Sequence, residues 1–247
     1  MQTQYKGYMK FRTFIGSGFS LLLFLAGVLL EIAISAGVLW GELEARLYIS
    51  PYGSSSLSVK CPYMLSFDET GIIKASIINT LDQDVQPMVT AEISRNGGAQ
   101  QISQSLTLAP HESKPVQWTV DASNVLFGRL ILVSILQGKY EDLPVRQGYC
   151  GILFLSLFGM NGRETIILLC STSFVLLILG AVIWMRGRLP LKPRDENIAR
   201  AFGSLATVAT IGLFTALLRW WGLIIILDAI ALILIIVIFT EVLFNPQ

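Results

Sequence analysis

The chain has 247 residues, of which 53% are hydrophobic and 14% charged, with a net charge of +1 and a mean hydropathy of +0.62. Soluble domains run to about 45–50% apolar and about 25% charged, so the surplus points to lipid, and so small a net charge gives no field to steer a nucleic acid. Three cysteines and one histidine, His111, exclude a disulfide-stapled scaffold and a Cys-only zinc site.

From Phe14 to Trp40 the sequence is almost unbroken apolar. Its roughly 27 residues, at a rise of about 1.5 Å each, exceed a hydrocarbon thickness of about 30 Å. Lys6, Lys10 and Arg12 precede it as in a signal peptide, but a signal core is only about 7–15 residues long, so residues 1–40 read as a cytoplasmic N-terminus and an uncleaved first transmembrane helix. After it the period changes. Val89, Ala91 and Ile93, then Val116, Trp118 and Val120, then Ile131, Val133 and Ile135 recur at a spacing of two, the pattern of strands with one buried face. Turn signals at Asn96-Gly97-Gly98, Ala109 to Glu112 and Gly138 to Asp142 divide the stretch into about seven strands, which predicts a β-sandwich over residues 41–147. Residues 148–163 hold an apolar run, Gly151 to Phe158, too short to cross. That run reads as a last strand or, preferably, as a connector at the membrane surface, since a strand apolar on both faces needs covering.

A second span is expected over residues 164–185, a basic loop over 186–200, a hairpin of third and fourth spans over 201–243, and a short tail over 244–247. Arg186, Arg188, Lys192, Arg194 and Arg200 mark the loop as cytoplasmic, and four crossings put both termini on that same side. The expected fold is therefore an α-helical membrane protein with four transmembrane helices and an all-β extracytoplasmic sandwich inserted between helices 1 and 2. The expected location is a plasma membrane of the bacterial inner-membrane kind, with the sandwich outside or in the periplasm.

The stretch from Leu108 to Val120, with Ala109-Pro110-His111-Glu112 before Val116-Gln117-Trp118-Thr119-Val120, and then Gly128 and the strand of Ile131, Val133 and Ile135, resembles the end of bacterial immunoglobulin-like modules of the CARDB and related kinds. Those modules often read L-x-P-G-E before a V-x-W-x-V strand. His111 stands here where the glycine would be. The resemblance covers about Leu57 to Gln137. It implies an immunoglobulin-like fold and an interaction role, and it carries over no catalytic residue.

Ionisable groups inside spans cost about 2.5–3.5 kcal/mol each at mid-membrane on insertion scales, so Glu31 and Asp228 are functional candidates. Counted from Trp40 and Gly222 they lie about 13 and about 9 Å deep. Arg219 is within a long side chain's reach of that level, which predicts a polar cluster of Glu31, Arg219 and Asp228. Such a cluster is read here as a lock on helix register or a contact for a partner subunit. A proton or ion path and snorkelling to the interface are the other readings. Cys61 and Cys150 fall on the external side, where an oxidising compartment permits a disulfide closing about ninety residues, worth about 4–5 kcal/mol in the chain-entropy model. Cys170 sits in mid-span as a packing residue.

Gly203, Thr207 and Thr210 make a small-residue face for close packing on span four, and Trp40, Trp184, Trp220 and Trp221 fall at span ends as interfacial anchors. There is no G-x-S-x-G, P-loop or H-E-x-x-H, and Asp68-Glu69 and the Asp82, Asp84 pair sit in turn-like sequence, so no enzyme activity, cofactor or metal is expected. The reading that follows is a non-enzymatic accessory or scaffolding subunit of a larger membrane complex. Its expected partners are other integral membrane subunits, lipids and a soluble extracytoplasmic protein, without nucleic acid. The alternative is a transporter or channel component using Glu31 and Asp228.

Overall fold

The first proline of the chain is Pro51, and nothing before it forces a helix to stop. In the computed structural model, which describes residues 2–48, 55–140, 142–187 and 193–244, helix α1 accordingly runs unbroken over Gln2–Tyr48. It passes Trp40, where the span was expected to end, by eight residues, and the extension carries a Glu42–Arg46 pair one turn apart at 3.6 Å. After the β-strands come α2 (Gly162–Arg186), α3 (Pro193–Leu217) and α4 (Trp221–Phe244). α3 opens on a proline, which suits a first helical position, so the expected loop over 186–200 is shorter than predicted. Arg188 and Lys192 of that loop, and the tail beyond Phe244, lie outside the described residues. Each of the four helices holds a stretch long and apolar enough to cross a membrane.

The chain divides into two compact units, Met1–Ala36 with Ile167–Gln247, and Gly37–Ile166. In the helical unit, Phe24 and Val28 of α1, Leu177 and Trp184 of α2, Phe202, Leu205 and Ala209 of α3, and Ala231 and Ile238 of α4 form one apolar cluster.

Among its described residues the β unit holds six strands of eight or nine residues and three of two, where the periodicity predicts about seven. They are β1 (Ser55–Ser56), β2 (Val59–Lys60), β3 (Met64–Leu65), β4 (Gly71–Ile78), β5 (Met88–Arg95), β6 (Gly98–Ser105), β7 (Ser113–Val120), β8 (Leu130–Gln137) and β9 (Arg146–Phe154). One sheet runs β1-β9-β8-β5-β6 with β3 also on β9, and the other runs β2-β4-β7. Their inward residues merge in a single core. Ile73, Ala75 and Ile77 of β4 and Val116, Trp118 and Val120 of β7 meet Val89, Ala91 and Ile93 of β5 and Ile131, Val133 and Ile135 of β8. The alternation read from the sequence is thus the pleat of two sheets around one core.

β9 corrects the preferred reading of residues 148–163 as a surface connector. It is a strand between β8 and β1, and both of its faces are covered inside the unit. Cys150, Ile152 and Phe154 enter the shared core, while Tyr149 and Leu153 join Ala45 of α1 with Leu126, Leu130 and Leu132 on the other side. Gly151 is what lets the helix lie so close, because a Cβ there would land on the backbone of Gly41. A disulfide links Cys61 to Cys150 with a Cα–Cα distance of 6.5 Å, tying the turn after β2 to β9.

Candidate functional site

Two carboxylates in an apolar helical unit need partners, because hydrocarbon supplies none. Asp228 on α4 takes the hydroxyl of Ser35 on α1, whose Oγ stands 3.0 Å from Oδ1 and 2.9 Å from Oδ2. Glu31, one turn before Ser35 on α1, accepts from Ser173 of α2 at 3.5 Å and from Thr210 of α3 at 3.4 Å. Glu31, Ser35 and Ser173 are fully buried. α3 meets both acids: two residues beyond Thr210, a Cβ on Gly212 would stand 3.3 Å from Asp228 Oδ1. All four helices therefore converge on one polar patch. The short contact is the one to Asp228, and the contacts to Glu31 lie at the long limit of hydrogen bonding, so the α1–α4 tie is the stronger.

The sequence places Arg219 in this cluster with Glu31 and Asp228, and the hydrogen bonds above join those two acids to hydroxyls. Arg219 is the second residue after α3, in the left-handed region at φ 58°, with its N–H on Ala216 O at 3.0 Å. Ser35, Ser173 and Thr210 were missed as site residues. The available signal was spacing, since Ser35 follows Glu31 by four residues and so shares its helix face.

The small-residue face also differs from expectation. Gly203 and Thr207 are exposed, Thr207 bonds back to Gly203 O, and Thr210 turns to Glu31 on α1 and not to α4. Trp184, expected as an interfacial anchor, is 5% exposed and stands edge-on to Phe202 at 5.3 Å within the helical unit. Trp220 and Trp221 are exposed at the turn between α3 and α4, and Trp40 is exposed eight residues before the end of α1. Cys170 is a free, partly buried thiol.

In the β unit the acidic turn residues serve the fold. Glu69 Oε2 accepts from Ser66 N–H at 3.2 Å and from Gly162 N–H at 2.7 Å, at the start of α2. The same helix end has a reciprocal cap, Glu164 N–H to Asn161 Oδ1 at 2.8 Å and Asn161 N–H to Glu164 Oε2 at 3.3 Å. His111 takes φ 57°, the left-handed conformation a glycine supplies at low cost, and its Nε2 meets Asp82 Oδ1 at 2.8 Å on the open surface. Asp121 caps the turn Ala122–Asn124, and the hydroxyl and backbone N–H of Ser123 hold its carboxyl below the usual range. Burial pushes the Tyr149 phenol up, against the opposing pull of Arg46, whose guanidinium lies 5.9 Å from the ring centre. Among the described residues no group of three or more His, Cys, Asp and Glu side chains could hold a metal ion.

The two sheets end differently. β7, at one edge of the smaller sheet, carries Lys114 and Pro115, residues that discourage further strand pairing. β6 ends the larger sheet with the sequence GAQQISQS, which has neither charge nor proline and is exposed along nearly all its length. Among the described residues β6 pairs only with β5.

No family model matches the chain, and no curated protein matches it. Solved structures similar to it include a β-glucuronidase from Bacteroides uniformis, 18% identical over 42% of this chain with a TM-score of 0.32. A β-glucosidase from Listeria innocua is 14% identical over 44% at 0.31, and a CARDB domain from Pyrococcus furiosus with two metal ions is 10% identical over 43% at 0.31. The chain spans 14% of that glucuronidase, 17% of the glucosidase and 96% of the CARDB domain. The expectation of a chain without enzyme activity is corrected, because glycoside hydrolases stand among these similar structures. Likeness at these TM-scores carries no argument for hydrolase chemistry in this chain either.

Proposed function

We propose that the chain is an accessory or scaffolding subunit of a larger membrane complex, whose four helices cross the bilayer and whose β unit is an immunoglobulin-like extracytoplasmic sandwich that docks a partner chain. The observation that carries this reading is the edge of β6, eight residues of uncharged, proline-free strand with one side unpaired among the described residues. Such an edge recruits an extended segment of another chain through backbone hydrogen bonds. The polar patch supports the same reading. Each of its carboxylates is tied to a hydroxyl of another helix, the arrangement of a lock on helix register. Basic residues in the first turns of α1, Lys6, Lys10 and Arg12, and around the start of α3 support termini on the cytoplasmic side.

The test is purification from native membranes in mild detergent, with the wild-type chain beside a Gln101→Lys, Ser103→Lys variant of β6. The wild type is expected to carry fixed partners in constant ratio, and the charged edge to lose the soluble partner while the helical unit keeps its membrane partners. A wild-type chain that purifies alone would overturn the proposal.

A further inference from the structure

The tripeptide Leu-Phe-Gly occurs twice in the β unit, at Leu126-Phe127-Gly128 and at Leu157-Phe158-Gly159, and both copies fold the same way. Each leucine carbonyl accepts from the residue three places on, Arg129 N–H to Leu126 O at 3.2 Å and Met160 N–H to Leu157 O at 3.0 Å. Each phenylalanine has positive φ, 53° and 54°, and so does each following glycine, 67° and 72°. Positive φ at both central residues is the type I′ pattern, which favours Asn, Asp or Gly at the first of them. A bulky aromatic there is a costly choice for the backbone, and it places the ring in the open: Phe127 is 75% and Phe158 93% exposed.

Both turns lie at the end of β9 from which the chain leaves for α2. Phe154 N–H bonds Arg129 O at 2.7 Å, fixing the first turn beside that end, and the second turn follows three residues later. A third exposed ring, Phe67, stacks edge-on against Phe154 at 4.8 Å. Phe158 precedes the first residue of α2 by four positions, a reach of at most about 14 Å. Arg129 and Arg163, both exposed, follow the two turns closely.

We propose that the Phe127 and Phe158 turns, with Phe67 beside them, form a set of tips that dips into the bilayer interface around the start of α2, with Arg129 and Arg163 meeting lipid phosphate. The rings carry no polar atom, so the surface binds by apolar burial, and the guanidinium groups match the charge of the headgroup layer. The tether to α2 selects lipid as the occupant, since it holds Phe158 within four residues of an apolar span, while Phe154 at the same end of β9 bonds the Phe127 turn and stacks on Phe67. This inference rests on the proposed reading only in requiring that α2 cross the bilayer.

The test places a nitroxide at Phe127→Cys, at Phe158→Cys and, as a reporter for α2, at Ile178→Cys, each on a Cys170→Ala background in nanodiscs of phosphatidylcholine and phosphatidylglycerol. Collision with oxygen is compared with collision with a water-soluble nickel chelate. Both tips are expected to lose nickel broadening while oxygen still reaches them, at a shallower depth than position 178. Nickel reaching the tips while position 178 stays shielded would overturn the inference and leave the membrane reading standing. Nickel reaching position 178 as well would overturn both. Shielding of the tips from both reagents would place them in a protein contact and overturn the inference. A Phe127→Asn, Phe158→Asn variant separates packing from lipid contact, because Asn accepts the left-handed turn. Its β unit is expected to melt as the wild type does, while a nitroxide at Phe67→Cys loses its shielding. A sharply lower melting temperature would show the rings to be structural and overturn the inference.

Discussion

The helical unit and the β unit solve opposite problems. In the β unit, water is the alternative solvent, and two sheets are joined by driving Ile73, Val89, Trp118, Ile131 and Ile152 into one core while polar residues stay outside. In the helical unit the outward residues are themselves apolar, such as Ile178 on α2 and Ile233 on α4, so burying apolar surface distinguishes little between packed and separated helices. Specific contact does that work instead. Leu177 of α2 and Gly27 of α1 approach so closely that a Cβ on the glycine would stand 2.9 Å from Leu177, and hydroxyls on three helices reach Glu31 and Asp228. One unit is therefore sensitive to apolar volume and to its covalent link, the other to a few polar atoms.

Removing the disulfide by Cys61→Ala with Cys150→Ala separates the two most strongly. The link spans 89 positions, so the β unit is expected to lose about 4 kcal/mol, read as faster backbone hydrogen exchange in Gly37–Ile166, with exchange in α3 and α4 unchanged. Equal loss in both units would break the contrast. Gly151→Val, whose side chain would collide with the Gly41 backbone, is expected to cost about 3 kcal/mol in the same unit, seen as a lower melting temperature in detergent. Ser35→Ala removes the short tie to Asp228 and is expected to cost about 1 kcal/mol in the helical unit alone. Asp228→Asn in the same assay keeps the size of the side chain, and an Asn variant that assembles and melts as the wild type would remove the patch from the account.

The smallest effect is a pH dependence. The folded carboxyl of Asp121 lies below its unfolded value, so its capping contribution is present above the usual Asp range near about 3.9 and disappears as pH falls through the lower folded value. Asp121→Asn is expected to flatten that acid limb of β-unit stability and leave the curve near neutral pH in place.

The strands were legible where one face is wet, as in β4, β5 and β7, because alternation writes the pleat directly into residues such as Val116-Gln117-Trp118-Thr119-Val120. β9 was less legible, since both its faces are covered and period two vanishes; its partner on the second face, α1 beyond Trp40, had been placed outside the helix. In the helical unit, length and composition marked the four helices, and Glu31 and Asp228 stood out as charges in apolar runs. Their partners did not, because a serine or threonine in a membrane helix can bond its own backbone, as Ser173 also does to Cys170 O at 2.8 Å. Trp184 shows the same limit from the other side: a tryptophan at a helix end fits an interface or a core equally well in one dimension, and only Phe202 opposite it decides.

The account depends most on residues 37–166 folding on the far side of the membrane from the segment that joins α2 to α3. Lys114→Cys in β7 and Arg200→Cys in α3, each on a Cys170→Ala background, can be challenged in sealed cells with a membrane-impermeant maleimide. The account predicts labelling at position 114 in intact cells and at position 200 only after permeabilisation. Labelling at position 200 in intact cells, with position 114 silent until the membrane is opened, would contradict it.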